Sequence, residues 1–175
     1  IFDPRMRKWT ATGSLRIPRA GIAPLVLRDG RVYAIGGYNH SDNYLTTVEV
    51  FEPGRGEWRS LAPLQQPRTV ATANLLPDGR ILVTGGLNGS GTARNCEIYD
   101  PAKNAWKEGP DLSQPRYSHI SVSLRDGRVF IDGKFLAEEP YAQWTDAARQ
   151  PQSVHAADVT PQRYQELWQT HVLDR

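Results

Sequence analysis

Few side chains in this sequence could do chemistry, and their spacing decides which chemistry is open to them. Cys96 is the single cysteine. No intrachain disulfide can form, and no cysteine-rich zinc site can be built. The four histidines, His40, His119, His155 and His171, are scattered along the chain, whereas metal chemistry needs clustered ligands. There is no phosphate loop and no serine nucleophile elbow. No catalytic group, metal set or cofactor follows from these residues, and the reading leans away from an enzyme. His119 is expected to be a core histidine satisfied by a polar partner, because one such partner suffices for it.

The better candidates are polar and aromatic side chains suited to recognition. Asn39, His40, Asp42, Asn43 and Tyr44 form one cluster, and Asn88, Ser90, Thr92, Arg94 and Asn95 form a second. Variable polar loops on a rigid scaffold are where binding usually resides. Taken singly, most of these residues read as solvated turn residues, because few contacts carry binding energy. Taken together they are the candidate binding face. Asn39-His40-Ser41 and Asn88-Gly89-Ser90 also fit the acceptor pattern for N-glycosylation, which matters only in a eukaryotic secretory pathway.

What positions these clusters is an internal repeat. An aromatic–acid–proline triplet occurs as Phe2-Asp3-Pro4, Phe51-Glu52-Pro53 and Tyr99-Asp100-Pro101, in steps of 49 and 48 residues. Trp9, Trp58 and Trp106 keep the same steps, as do Pro18-Arg19, Pro67-Arg68 and Pro115-Arg116. Asp29-Gly30-Arg31 leads through an apolar run to Gly36-Gly37, and Asp78-Gly79-Arg80 leads to Gly85-Gly86. Asp126-Gly127-Arg128 leads to Gly133-Lys134. Asp-Gly between apolar runs predicts a hairpin with positive φ at both turn positions.

Each unit then reads as four short strands, a to d, in an antiparallel blade. Strand a holds Leu25–Leu27, Leu75-Leu76, or Val122 and Leu124. Strand b follows the turn, at Val32–Ile35, Ile81–Val83 and Val129–Ile131. Strand c is expected at 47–51 and 96–99, and strand d at 57–61 and 105–108. Strand parity puts the b–c and d–a connections at one end of the blade. The b–c loops, 38–47 and 87–95, differ by one residue, which accounts for the two step lengths. The d–a segments around Gln65-Gln66 and Ser113-Gln114 share their face.

The order of hydrophobic strand, Gly-Gly, aromatic–Asp–Pro, Trp and Pro-Arg resembles the kelch repeat, whose period is about 50 residues. Leu76-Pro77-Asp78-Gly79-Arg80 resembles bacterial kelch proteins more than animal ones. The shorter period and Trp-Asp dipeptide of the rival WD40 repeat are not seen. The resemblance covers residues 2–134 and implies an all-β fold, a partial kelch-type β-propeller of four-stranded blades. Blades are expected at 15–62 and 63–111, with partial blades at 1–14 and 112–134. Each tryptophan is expected to bury its large ring between neighbouring blades, and the repeat arginines, by their donor geometry, to bond carbonyls of the neighbouring blade. The triplet prolines start the c–d turn. Pro24 falls on strand a, tolerable on an edge. Relatives of this type include galactose-oxidase-like enzymes, with a copper site and a Tyr–Cys crosslink, and sialic-acid epimerases. No tyrosine partner can be assigned to Cys96, so that site is not carried over. Ubiquitin-ligase adaptors add a BTB domain that this chain does not contain.

After residue 134 the repeat stops. A fourth triplet aromatic and a fourth tryptophan would fall at Ala147 and Val154. Residues 135–175 are expected to be a non-repeat segment, with an amphipathic helix at about 161–173 started by Thr160-Pro161. About three blades' worth of strands is present, while closed propellers use four to eight. Three arrangements stay open: a piece of a longer propeller, which is favoured, two copies completing one ring, or an arc capped by the C-terminal segment. Ile1 begins inside a repeat, so the chain reads as processed or truncated.

Bulk composition narrows the function classes. Among 175 residues, 21 are basic and 19 acidic, giving a net charge of +2. That balance argues against a nucleic-acid surface. No apolar run is long enough to span a bilayer. The expected function is a kelch-type module that binds a protein or glycan through its b–c and d–a loops. The alternatives are part of a carbohydrate-active enzyme or a structural segment of a larger protein. The lone cysteine does not fix the compartment.

Overall fold

A computed structural model describes residues 1–132. The expected helix at 161–173 and the segment 135–175 lie outside the described residues. Among the described residues sixteen strands follow one another: β1 (Phe2–Asp3), β2 (Lys8–Trp9), β3 (Ala23–Val26), β4 (Val32–Ile35), β5 (Tyr38–Asn39) and β6 (Asn43–Tyr44), then β7 (Val48–Glu52), β8 (Glu57–Leu61), β9 (Thr72–Leu75), β10 (Ile81–Thr84), β11 (Leu87–Asn88) and β12 (Gly91–Thr92), and finally β13 (Cys96–Asp100), β14 (Ala105–Glu108), β15 (Ile120–Ser123) and β16 (Val129–Asp132). Two antiparallel four-stranded sheets result, ordered β3-β4-β7-β8 and β9-β10-β13-β14. The ladders β1-β2 and β15-β16 stand on either side of them in the chain. This is a partial propeller of four-stranded blades, with β3 and β9 as the a strands. Pro24 sits on β3, an edge strand, where its missing N–H breaks no ladder.

Strand a begins two or three residues earlier than the sequence predicts, and the reason lies in the turn that follows it. Gly30, Gly79 and Gly127 have positive φ, but Asp29, Asp78 and Asp126 do not. The expected two-residue turn with both φ positive is therefore corrected. The observed loops are Arg28-Asp29-Gly30, Pro77-Asp78-Gly79 and Arg125-Asp126-Gly127. Gly30 N–H donates to the Leu27 carbonyl and Leu27 N–H to the Arg31 carbonyl. That is a three-residue loop closed by a left-handed glycine. The aspartate works through its side chain instead, accepting the Arg31 N–H at 3.0 Å and Arg31 Nε at 2.7 Å. The other two copies repeat this arrangement. At the other turn Pro53 occupies the second position, and the Glu52 carbonyl accepts the Arg55 N–H, as a fixed φ there favours.

The core lies in two seams between adjacent blades. Tyr33, Ile35, Val48 and Val50 of the first blade pack against Ala71, Ile81, Val83, Tyr99 and Trp106. Leu82, Cys96 and Ile98 of the second pack against Val129 and Ile131. Each such side chain contributes roughly 1.5–3 kcal/mol by leaving water, so the seams hold the array together. Apolar side chains are exposed where no described blade covers them: Phe2, Met6 and Trp9 at one side, Ile120, Val122 and Phe130 at the other.

Seam packing also decides the fate of the repeat tryptophans. Trp106 is buried and donates its indole N–H to the Ala62 carbonyl at 2.8 Å. Trp58 does the same to the Gly13 carbonyl at 3.0 Å. Both reach the segment that leaves the preceding blade. Trp9 departs from the expectation: it is 75% exposed, because no described residue stands where Gly13 and Ala62 stand for the others.

Candidate functional site

The loops at the b–c end are more ordered than the sequence suggests. Each b–c connection folds into a miniature hairpin, β5-β6 in the first blade and β11-β12 in the second. The extra residue of the first repeat sits in the hairpin turn. His40-Ser41-Asp42 bridges Asn39 to Asn43, whereas Gly89-Ser90 bridges Asn88 to Gly91. The d–a segments lie directly against these hairpins. Ala20 exchanges both backbone bonds with Tyr38, and Thr69 does so with Leu87. The two sets of loops therefore form one surface.

Under that surface lies a device that sequence reasoning missed in part. The expected bonds from repeat-arginine side chains to the neighbouring blade are corrected for Arg19 and Arg68, whose guanidinium groups reach carbonyls of their own blade. Arg19 Nη1 donates to Gly36 and Thr47, and Arg68 Nη1 donates to Gly85 and Asn95. Their second partner is a buried carboxylate on strand c. Arg19 pairs with Glu49 at 2.6 Å and Arg68 with Glu97 at 2.8 Å. The same carboxylates accept backbone N–H groups from the d–a segments: Arg16 and Ile17 for Glu49, Gln65 and Gln66 for Glu97. The seam is crossed by the arginine's backbone, since Gly37 N–H donates to the Arg68 carbonyl and Arg68 N–H to that of Leu45. One residue thus fixes a b–c loop, a d–a loop and a seam. The signal available in the sequence was Glu49 and Glu97, one repeat apart and midway along strands that should be apolar.

The predicted face residues divide by role. Asn39 is a turn former: its Oδ1 accepts the N–H groups of Ser41 and Asp42, and its Nδ2 donates to the Pro18 carbonyl and to Asp42. Asn88 accepts the Ser90 N–H in the second hairpin. Asn43 takes a positive φ of 59° that closes the first turn, and the Asn95 carbonyl accepts Arg68. His40, Ser90, Thr92 and Arg94 are exposed, and Tyr44 is half-buried. Arg94 Nε lies 3.1 Å from Asp111, linking a b–c loop to the next d–a segment.

Only the first hairpin carries aromatic side chains. Tyr38 meets Tyr44 and His40 edge-on, with ring centroids 5.7 and 5.9 Å apart. The corresponding positions of the second hairpin are Leu87, Thr92 and Gly89. Between the aromatic hairpin and segment 16–20 lies an open cleft of about 580 Å³, lined by Ile17, Pro18, Tyr38, His40 and Asp42 among others. This face offers stacking surfaces and turn-held polar groups, which suit recognition.

The remaining chemistry-bearing groups lie elsewhere. Cys96 is buried, and burial pushes its thiol up to about 11, which suppresses the reactive thiolate. His119 is buried in the second seam, 2.9 Å from Thr72 and Thr84. Among the described residues, no three His, Cys, Asp or Glu side chains cluster as a metal site would require. No described helix is long and apolar enough to cross a membrane.

Repeated four-stranded antiparallel blades define a propeller-type scaffold. The Kelch motif family model matches residues 23–65 and 72–113. The chain belongs to the kelch-repeat family, whose motifs generally serve as protein-interaction modules. A comparison with curated proteins found no significant match.

Proposed function

We propose that the chain binds a protein ligand through the face built from its b–c hairpins and d–a segments. The observation that carries this reading is the Tyr38–His40–Tyr44 cluster beside the open cleft. Tyrosines on a rigid hairpin give large contact area at low entropy cost. Asn39, Asp42, Asn43, Asn88 and Asn95 hold the loops in shape, while His40, Tyr44, Ser90, Thr92 and Arg94 are offered to the ligand. A glycan is the second ligand class, favoured by Tyr38 and His40 rings standing next to Asn39, Ser41 and Asp42 around one cleft.

The test uses a partner captured by the intact chain and its binding curve against variants. Tyr44→Ala and Arg94→Ala should each weaken binding by about tenfold or more. Arg80→Ala, in the opposite a–b turns, should leave affinity unchanged. Loss of affinity with Arg80→Ala but with neither loop variant would overturn the assignment of the face. Binding that survives removal of glycans from the partner identifies a protein epitope, and binding that is lost identifies a glycan.

A further inference from the structure

The two seams are repeats of one another, yet one set of three positions turns from apolar in the first to hydrogen-bonded in the second. In the first seam Ala23, Ile35 and Ala71 are buried within a single apolar cluster. One repeat later the same positions are Thr72, Thr84 and His119. These three polar groups form a closed triangle. His119 Nε2 lies 2.9 Å from each threonine hydroxyl, and the hydroxyls lie 2.9 Å from each other. The histidine is 5% exposed, and its Nδ1 has no hydrogen-bond partner. Its ring lies flush against Gly85, where an added Cβ would come within 2.9 Å of Cε1.

We propose that this trio is a proton-sensitive latch, which holds the β15-β16 ladder to the second blade while His119 is neutral and releases it when the ring is protonated. The triangle fits the tautomer with its hydrogen on Nε2, donated to one hydroxyl while the hydroxyls bond each other. Nδ1 then presents only a lone pair, and an unpaired acceptor is tolerated better than an unpaired buried donor. Protonation puts an N–H on Nδ1 with no acceptor in reach. It also places a positive charge in a buried seam. Thr72 of β9, Thr84 of β10 and Gly85 just beyond it face the ring, and the charged group acting on it is Arg116, of like sign. Burial first, and Arg116 second, hold the imidazole at about 4 against 6.5 for the free group. The folded value lies below the unfolded one, so the latch is fully engaged above the unfolded value and is lost as pH falls toward the folded one. The first seam has no titrating group at these positions and supplies an internal control.

Amide hydrogen exchange of the whole chain, corrected for the intrinsic chemical rate, reads both seams at once. The second seam reports through Gly86 N–H, bonded to the Arg116 carbonyl, and Ser118 N–H, bonded to that of Val70. The first reports through Gly37 N–H on Arg68 and Val70 N–H on Gly21. Between about pH 7.5 and about pH 5, protection in the second seam should fall roughly thirtyfold more than in the first. Equal loss in both seams, or loss in neither, overturns the latch. The variant Thr72→Ala/Thr84→Ile/His119→Ala installs the residues of the first seam and should erase the difference. A difference that persists in it refutes the role of the trio. Should that variant fold poorly, the titration of His119 in the unaltered chain decides: a midpoint near 4 supports the latch, and one above about 6 removes it.

Discussion

Replacing Glu97 by glutamine should cost more stability than its near-isosteric shape suggests. The Glu97 carboxylate is 1% exposed and accepts three hydrogen bonds: Arg68 Nη2 at 2.8 Å, Gln65 N–H at 2.7 Å and Gln66 N–H at 3.2 Å. Glu97→Gln removes the charge and turns one acceptor into a donor. Arg68, also 1% exposed, is left as a buried cation without its counterion. Breaking such a pair from one side costs about 3–5 kcal/mol, against a total of about 5–15 kcal/mol for an ordinary domain. Urea unfolding followed by tryptophan fluorescence measures the change, since Trp106 lies opposite Tyr99 in the same blade. The double variant Arg68→Met/Glu97→Leu should recover part of the loss, because it no longer buries a lone charge. It should not recover all of it, because the Gln65 and Gln66 amides lose their acceptor at about 1–3 kcal/mol each. Asp78→Asn, which disturbs an exposed pair with Arg80, should leave the unfolding midpoint in place. A Glu97→Gln penalty below about 1 kcal/mol, or one matched by Asp78→Asn, would refute the buried-pair reasoning.

Three further outcomes are expected. Trp106→Phe should cost about 1–3 kcal/mol by orphaning the Ala62 carbonyl, while Trp9→Phe should stay within about 0.5 kcal/mol because that ring is exposed; chemical denaturation compares them. Gly85→Ala should be much worse than Gly79→Ala. Both glycines have positive φ, which costs about 1–2 kcal/mol for alanine, but only at Gly85 would the new Cβ collide with the Arg116 carbonyl oxygen; paired thermal melts check this. Cys96 should resist alkylation in the folded chain near neutral pH and react at the ordinary thiol rate in denaturant; mass spectrometry after iodoacetamide treatment follows it, and rapid labelling of folded protein would contradict its burial.

The sequence by itself determined the repeat, the blade strands and the location of the variable loops. Those features are written in local chemistry. Proline and glycine at fixed offsets set turns, alternating apolar residues set strands, and a period of 48 or 49 residues sets the blade. The one-residue difference between the b–c loops was legible as a count, but the two small hairpins that absorb it were not, because two-residue strands carry no periodic signal. The Asp-Gly turns were located correctly and given the wrong geometry, since the aspartate's bond to the Arg31 amide, which fixes the three-residue loop, competes with the simpler turn. Tertiary structure alone decided which repeated residues are equivalent in energy. Trp9 and Trp106 share a motif, yet one is exposed and the other buried, because burial depends on whether a neighbouring blade is stacked there. Arg19 and Arg68 find Glu49 and Glu97 some thirty residues away. Ala71 and His119 share a position, but one sits in an apolar cluster and the other against two threonine hydroxyls. Such outcomes follow from which surfaces meet after the chain has folded back on itself, and a buried charge or a buried imidazole is tolerated only by the partners found there.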